Sequence, residues 1–170
     1  MPNPSKEFLE FEGLKKIFKV FNQLKKEKVI NGYGVVGAIG AMFYTQSFQT
    51  NDADIFILMT GTNYAPVFHR LESLGYDTTI KGTHLMMEGV LVDIFAPSDP
   101  LSQEALKSVQ TFNFGARTEV CVVRPEYLIA MAYDIGRHKD LARAEMIISQ
   151  TDIDRKLLND ILRRHKVKRP

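Results

Sequence analysis

The chain has 170 residues, 45% of them apolar, and its 22 basic and 20 acidic side chains leave a formal charge of only +2. That is enough apolar material for the core of one domain. The small charge does not by itself mark a nucleic-acid partner, although a sequence pI near 8.6 does not argue against one. A lone cysteine, Cys121, excludes an internal disulfide, and in the apolar run EVCVVR it reads as a small buried hydrophobe in a reducing compartment. The opening MPNPSKEFLE has no basic segment followed by an apolar one. The longest mainly apolar stretch, Tyr33 to Tyr44, is shorter than the ~20 residues of a membrane span. A cytoplasmic protein without a membrane partner is expected.

From Glu7 to Val29 the apolar residues Leu9, Leu14, Ile17, Phe18, Phe21 and Leu24 recur at steps of three and four, which predicts an amphipathic helix. A short buried strand follows, Tyr33 to Val36, closed by Gly37, and AIGAMFYTQ resumes a helical pattern. ADIFILM is a second strand, and YAPVFHRLESLGY is a helix with Gly75 as its stop. DTTIKGTHLMMEGVLVDIFAP reads as strand, turn, strand, a turn at EG, and an apolar strand Val90 to Phe95. Asp99 to Val109 reads as a short helix, Glu119 to Val123 as a strand, and Pro125 as the start of a helix reaching about Gly136. RHKDLARAEMIISQ and DIDRKLLNDILRRHK are two further helices, the second capped by Thr151 or Asp152. The expected architecture is one mixed α/β domain over residues 1–170, with a core from about 30 to 124 and C-terminal helices from about 125 to 167.

The stretch NGYGVVGAIG contains a literal G-x-G-x-x-G at Gly32, Gly34 and Gly37, and Asp52 and Asp54 stand about twenty positions on, where a dinucleotide site has its acid. A dinucleotide fingerprint needs a strand immediately before its first glycine, whereas Gly32 follows the end of a lysine-rich helix. Gly32 and Gly34 precede or open the strand, and only Gly37 lies at the strand-to-helix turn. What survives is a glycine turn before a helix, where free backbone N–H groups can meet a phosphate.

The stronger pattern is acidic. In TNDADIFIL, Asp52 and Asp54 are two apart at the start of a strand, so both carboxylates share one face. In GVLVDIFAP, Asp93 interrupts a run otherwise suited to a buried strand, where a lone carboxylate is costly. If the two strands are neighbours, three carboxylates meet, and divalent metal relieves their repulsion. Taken singly, each pattern has a structural alternative, since Asp52 could cap a turn and Asp93 could pair with a buried Arg or Lys. Their conjunction with the upstream glycine turn favours a site.

VVGA before a helix, then TNDADIFI, then LVDIF, resembles the nucleotidyltransferase fold of the DNA polymerase β superfamily. RPEYLIAMAYDIGRHKDLARAEMI is similar to the helical segment of its small bacterial members, among them nucleotidyltransferase-like toxins of abortive-infection type. The resemblance spans roughly Val35 to Ile148 and implies a mixed central sheet flanked by helices with a C-terminal helical segment. It further implies that Asp52 and Asp54 hold a pair of Mg²⁺ ions against the triphosphate of an NTP. Asp93 would share a metal and promote attack of an acceptor hydroxyl on the α-phosphate, releasing pyrophosphate. The Gly37 and Ala38 N–H groups would hold the β,γ-phosphates. Lys139, with Asp140 in GRHKD, matches a Lys-Asp pair of the toxin-like members and would neutralise phosphate; a solvated helix face is the alternative. The chain departs from the family at Ala38, in place of Gly or Ser, at Ala53, in place of a larger apolar residue, and at Gln49 and Thr50, where related proteins often carry arginine.

The implied function is Mg²⁺-dependent transfer of a nucleoside monophosphate from NTP to a hydroxyl of a small molecule such as an antibiotic, of a protein, or of a tRNA end. The alternative is a non-catalytic binding or regulatory module with this fold, as half of a toxin–antitoxin pair, so an antitoxin or a second copy of the chain are the protein partners to consider. His84 alternates with Met86 on a strand beside Asp93 and reads either as a contact to phosphate or acceptor or as a structural histidine. Tyr44 and Phe43 read as core residues, and the basic tail RRHKVKR as solvated or in contact with RNA phosphates.

Overall fold

Alternation along one central strand divides the molecule into two layers. The computed structural model describes residues 6–46, 52–79, 83–115 and 117–170, with side chains described from Phe11 onward. Leu9, Gln49, Thr50 and the Ile80–Lys81 part of the DTTIK segment therefore lie outside the described side chains or residues. The elements in chain order are α1 (Lys6–Lys26), β1 (Ile30–Val36), α2 (Gly37–Met42), β2 (Asp52–Met59), α3 (Ala65–Ser73), β3 (His84–Met87), β4 (Val90–Phe95), α4 (Pro100–Leu106), β5 (Val109–Asn113), β6 (Glu119–Val123), α5 (Pro125–Ile135), α6 (His138–Gln150) and α7 (Arg155–Arg164).

The strands form one mixed sheet in the order β3-β4-β2-β1-β6-β5. The β2–β4 and β1–β6 pairs are parallel, and the other three are antiparallel. On β2, Ala53, Ile55 and Ile57 are buried on one face, while Asp52, Asp54 and Phe56 take the other. The first face is covered by α1 and α3: Ile17, Phe18, Phe21 and Leu24 of α1 are fully buried and pack with Ile55, Ile57, Val67 and Leu71. Each such side chain contributes about 1.5–3 kcal/mol relative to exposure. The second face carries α4 to α7, whose own core joins Leu101, Leu128, Ile129, Ile147 and Leu158 to Val36 and Val123 of the sheet.

Local chemistry sets the helix ends. Asp99 caps α4 by accepting a hydrogen bond from the Ser102 N–H at 2.9 Å, with Pro100 in the first turn. The cap of α7 is Asp154, which accepts from the Leu157 N–H at 3.0 Å; Thr151 instead ends α6, and Asp152 lies between the two helices. The structure thus moves the expected cap on from Thr151 or Asp152 to Asp154. The Asp154 N–H also donates to Glu126 Oε1 at 2.8 Å, tying α7 to α5.

Three further expectations change. β1 begins at Ile30, so Gly32 and Gly34 lie inside the strand rather than ahead of it, and Gly34 lets Val109 and Val123 pack against the backbone. The strand expected at DTTIK is not formed over Asp77 to Thr79. β5, absent from the sequence reading, extends the sheet beyond β6 as an edge strand.

Candidate functional site

The strand-to-helix turn at Gly37 is the structural origin of the site. Gly37 has φ of +62°, a region that favours glycine, and a Cβ there would collide with Asp54 Oδ2 and stand 3.1 Å from Asp54 Cγ. Two independent constraints therefore exclude a side chain, and the second shows the Asp54 carboxylate seated directly against the turn. Antiparallel pairing of Val36 with Asp54 brings them together.

Asp93 arrives from the other side. β2 and β4 run parallel with Asp54 opposite Asp93, so the two side chains share a face, and Asp52 lies on that face two residues before Asp54. The three carboxylates therefore share one face, but they do not meet there as a group that could hold a metal. They differ in setting: Asp52 is exposed, whereas Asp54 and Asp93 are partly buried. His84 faces Asp93 across the β3–β4 pair, with its Nδ1 against Asp93 Oδ1. The contact sets His84 beside a strand carboxylate whose Oδ1 is buried without a hydrogen-bond partner among the described residues.

Burial pushes the Asp54 carboxyl above its ordinary value, and the like charge of Asp52 adds to that effect, while Arg143 above all, then Lys139 and Arg137, draw it back. A divalent cation beside Asp54 would relieve the same penalty, and aspartate oxygens are the donor type that Mg²⁺ takes. The residues fit such an ion in donor type and in sharing one face. As they stand, no three acidic, imidazole or thiol groups among the described residues converge as a finished ligand set.

Over Asp54 opens a cavity of about 270 Å³ between the sheet and the C-terminal helices. Val36, Gly37, Asp54, Phe56 and Phe95 line its sheet side, and Leu128, Met131, Arg137, Asp140, Arg143 and Ile147 are among the residues on its helix side. Phe56 and Phe95 are cross-strand partners whose rings meet edge to face at 6.2 Å. Asp52, Asp93, Ala38 and Lys139 do not line the cavity, and Lys139 is exposed at the start of α6. Phe43 and Tyr44 pack in the apolar layers, with the Tyr44 hydroxyl donating to the Val123 carbonyl at 3.0 Å, as expected of core residues.

The sequence reading missed the arginines. α5 ends at Gly136, whose φ of +73° reverses the chain, and Arg137 is the N-cap residue of α6. Asp140, 2% exposed, accepts from Arg137 Nε at 2.6 Å and from Arg143 Nη1 at 3.2 Å. The available signal was the spacing R-x-x-D-x-x-R, which puts an acid between two bases on one side of a helix.

No protein-family model matches the chain, and no curated protein sequence does. Solved structures do match in shape. An antigenic nucleotidyltransferase-like protein from Paracoccidioides brasiliensis aligns over 90% of this chain and 87% of its own, with a TM-score of 0.57 and 15% identity. The antibiotic-resistance factor ANT(2'')-Ia aligns over 90% and 91%, with a TM-score of 0.59 and 10% identity. The chain has a nucleotidyltransferase fold. Identities this low carry the fold alone. Among the described residues no helix is long and apolar enough to cross a membrane.

Proposed function

We propose that the protein is a Mg²⁺-dependent nucleotidyltransferase that moves a nucleoside monophosphate from NTP to an acceptor hydroxyl. The observation that carries this reading is the Asp54 carboxylate packed against the Gly37 turn, with Asp52 and Asp93 on the same face of the sheet. A bound Mg²⁺ pair would supply charge neutralisation and alignment of the reacting oxygens.

The chain's own groups have separable roles. Asp52 and Asp54 hold the cations on the strand face, and the Gly37 and Ala38 N–H groups meet the β,γ-phosphates. Gly37 is suited to that contact because it has no side chain to keep phosphate away. Asp93 receives the proton of the acceptor hydroxyl, and His84 keeps its carboxylate in place. The acceptor oxygen forms a bond to the α-phosphorus. The bond from that phosphorus to the oxygen bridging to the β-phosphate breaks, and its electron pair leaves with pyrophosphate. Lys139, exposed in the first turn of α6, would add a positive charge towards the phosphates.

The test is transfer of label from each of four NTPs carrying radioactive α-phosphate, with Mg²⁺, to antibiotic, tRNA and protein acceptors. Label should pass to one acceptor class with the wild type and not with Asp54→Ala. Undiminished transfer by Asp54→Ala would overturn the proposal.

A further inference from the structure

Arg137, Asp140 and Arg143 have no assigned part in the reaction, yet all three line the cavity above Asp54. Asp140 is almost wholly buried, a costly setting for a carboxylate that the two guanidiniums make tolerable. The pairing leaves much of each arginine unspent. Asp140 takes Nε of Arg137 and Nη1 of Arg143, and a guanidinium carries five N–H donors, so most of each fork remains for a ligand. One acid also cannot neutralise two bases, and Lys139 on the same first turn of α6 adds a further positive charge.

The direction of that charge is informative. Arg143 and Asp54 line the same cavity, the guanidinium from the helix side and the carboxylate from the sheet side. At 21% side-chain exposure Arg143 is held in place, whereas Arg137, at 59%, sits at the mouth. A ligand group between Arg143 and Asp54 has cationic donors on one side and the Asp54 carboxylate on the other. Apolar walls from Phe56, Phe95, Leu128 and Ile147 limit competing water and strengthen the attraction.

We infer that Arg143 and Arg137, positioned by the buried Asp140, form a seat for the pyrophosphate end of a nucleoside triphosphate, a role that rests on the nucleotidyl-transfer reading. Guanidinium forks suit phosphoryl oxygens in geometry as well as charge. As the bond between the α-phosphorus and the bridging oxygen breaks, the electron pair goes to the departing pyrophosphate, and the seat neutralises the charge that develops there. Arg143 touches the leaving group, while Asp140 acts through the two arginines.

The test is calorimetric titration of the full chain with inorganic pyrophosphate in the presence of chelator, so that no cation contributes. The wild type should bind. Arg143→Gln should weaken binding by about 10-fold or more, Arg137→Gln by about 3-fold because of its exposure, and Asp140→Asn by an intermediate factor. Arg143→Lys should recover part of the loss. Asp54→Asn should bind more tightly than the wild type, since a carboxylate facing the anion is removed. A structural ion triad that merely closes the α5–α6 corner would change melting temperature and leave all these affinities equal. Equal affinity of Arg143→Gln and wild type, or no binding by the wild type, overturns the inference. Pyrophosphate binding with these differences but no label transfer would sustain the seat and sink the transferase reading. Label transfer at equal rates by wild type and Arg143→Gln would do the reverse.

Discussion

The two faces of β2 share a backbone and differ in nearly everything else. Ile55 and Ile57 point into an apolar layer sealed by α1 and α3, whereas Asp54 and Phe56, on alternate positions of the same strand, line a cavity beneath the C-terminal helices. The sealed face can be built of interchangeable hydrophobes, because burial rewards area. The cavity face holds charge that burial penalises, and Asp54 is the clearest instance. On the proposed function, stability and chemistry are divided across one sheet, and substitutions on the two faces should separate them.

The largest effect belongs to the cavity face. Asp54→Ala should lower label transfer by about 1,000-fold, or about 4 kcal/mol in the barrier, while leaving the melting temperature of the unliganded chain no lower than that of the wild type. Loss of folding in this variant would place Asp54 in the framework instead. On the sealed face the expectation is inverted. Ile57→Ala, at a side chain only 1% exposed, should cost about 3 kcal/mol and about 6–12 °C in melting temperature, with nucleotide affinity retained in the folded fraction.

Gly37→Ala tests the seam between the faces. Its positive φ and the collision with Asp54 should destabilise the chain by about 1–2 kcal/mol and abolish nucleotide binding in calorimetry. A well-folded, fully binding variant would separate the turn from the site.

The smallest effects have opposite pH dependence. The Asp54 carboxyl is raised above 3.8, so the native chain binds protons more readily than the unfolded one and this group lowers stability as pH rises through that range. Asp54→Asn should therefore melt about 2 °C higher than the wild type at neutral pH, the gap closing below 3.8. Glu104 behaves in reverse. Its hydrogen bonds from Arg164 above all, and from Tyr127 and His165, hold it far below the ordinary 4.5. Its contribution is present above 4.5 and is lost as pH falls through the lowered folded value, so Glu104→Gln should melt about 1 °C lower at neutral pH, a gap that shrinks in acid.

What could be read from the sequence follows the same division. The period of α1, the apolar run of β4 and the strand-to-helix turn at Gly37 are local patterns, and each forms where its residues predict. The strip of Asp52, Asp54 and Asp93 was also accessible, because a strand's period of two and the parallel neighbour supply the geometry. β5 escaped notice because VQTFN is an edge strand with little buried on either side, so it lacks the apolar alternation of a half-buried strand. The arginines escaped because Arg137 and Arg143 become neighbours of Asp54 only when the α5–α6 corner folds over the sheet. Lys139, the cation that local resemblance favoured, lies outside the cavity that they line. Three-dimensional convergence of charges from separate elements is what a linear pattern does not contain.

The central claim, that the cavity face of β2 is a metal-assisted nucleotide site, is tested most directly by calorimetric titration of the wild type and Asp54→Ala with each NTP, with and without Mg²⁺. The account predicts heat of binding that grows with Mg²⁺ in the wild type and loses that Mg²⁺ dependence in Asp54→Ala. A folded wild type that binds no NTP at about millimolar concentration with Mg²⁺ present would contradict it.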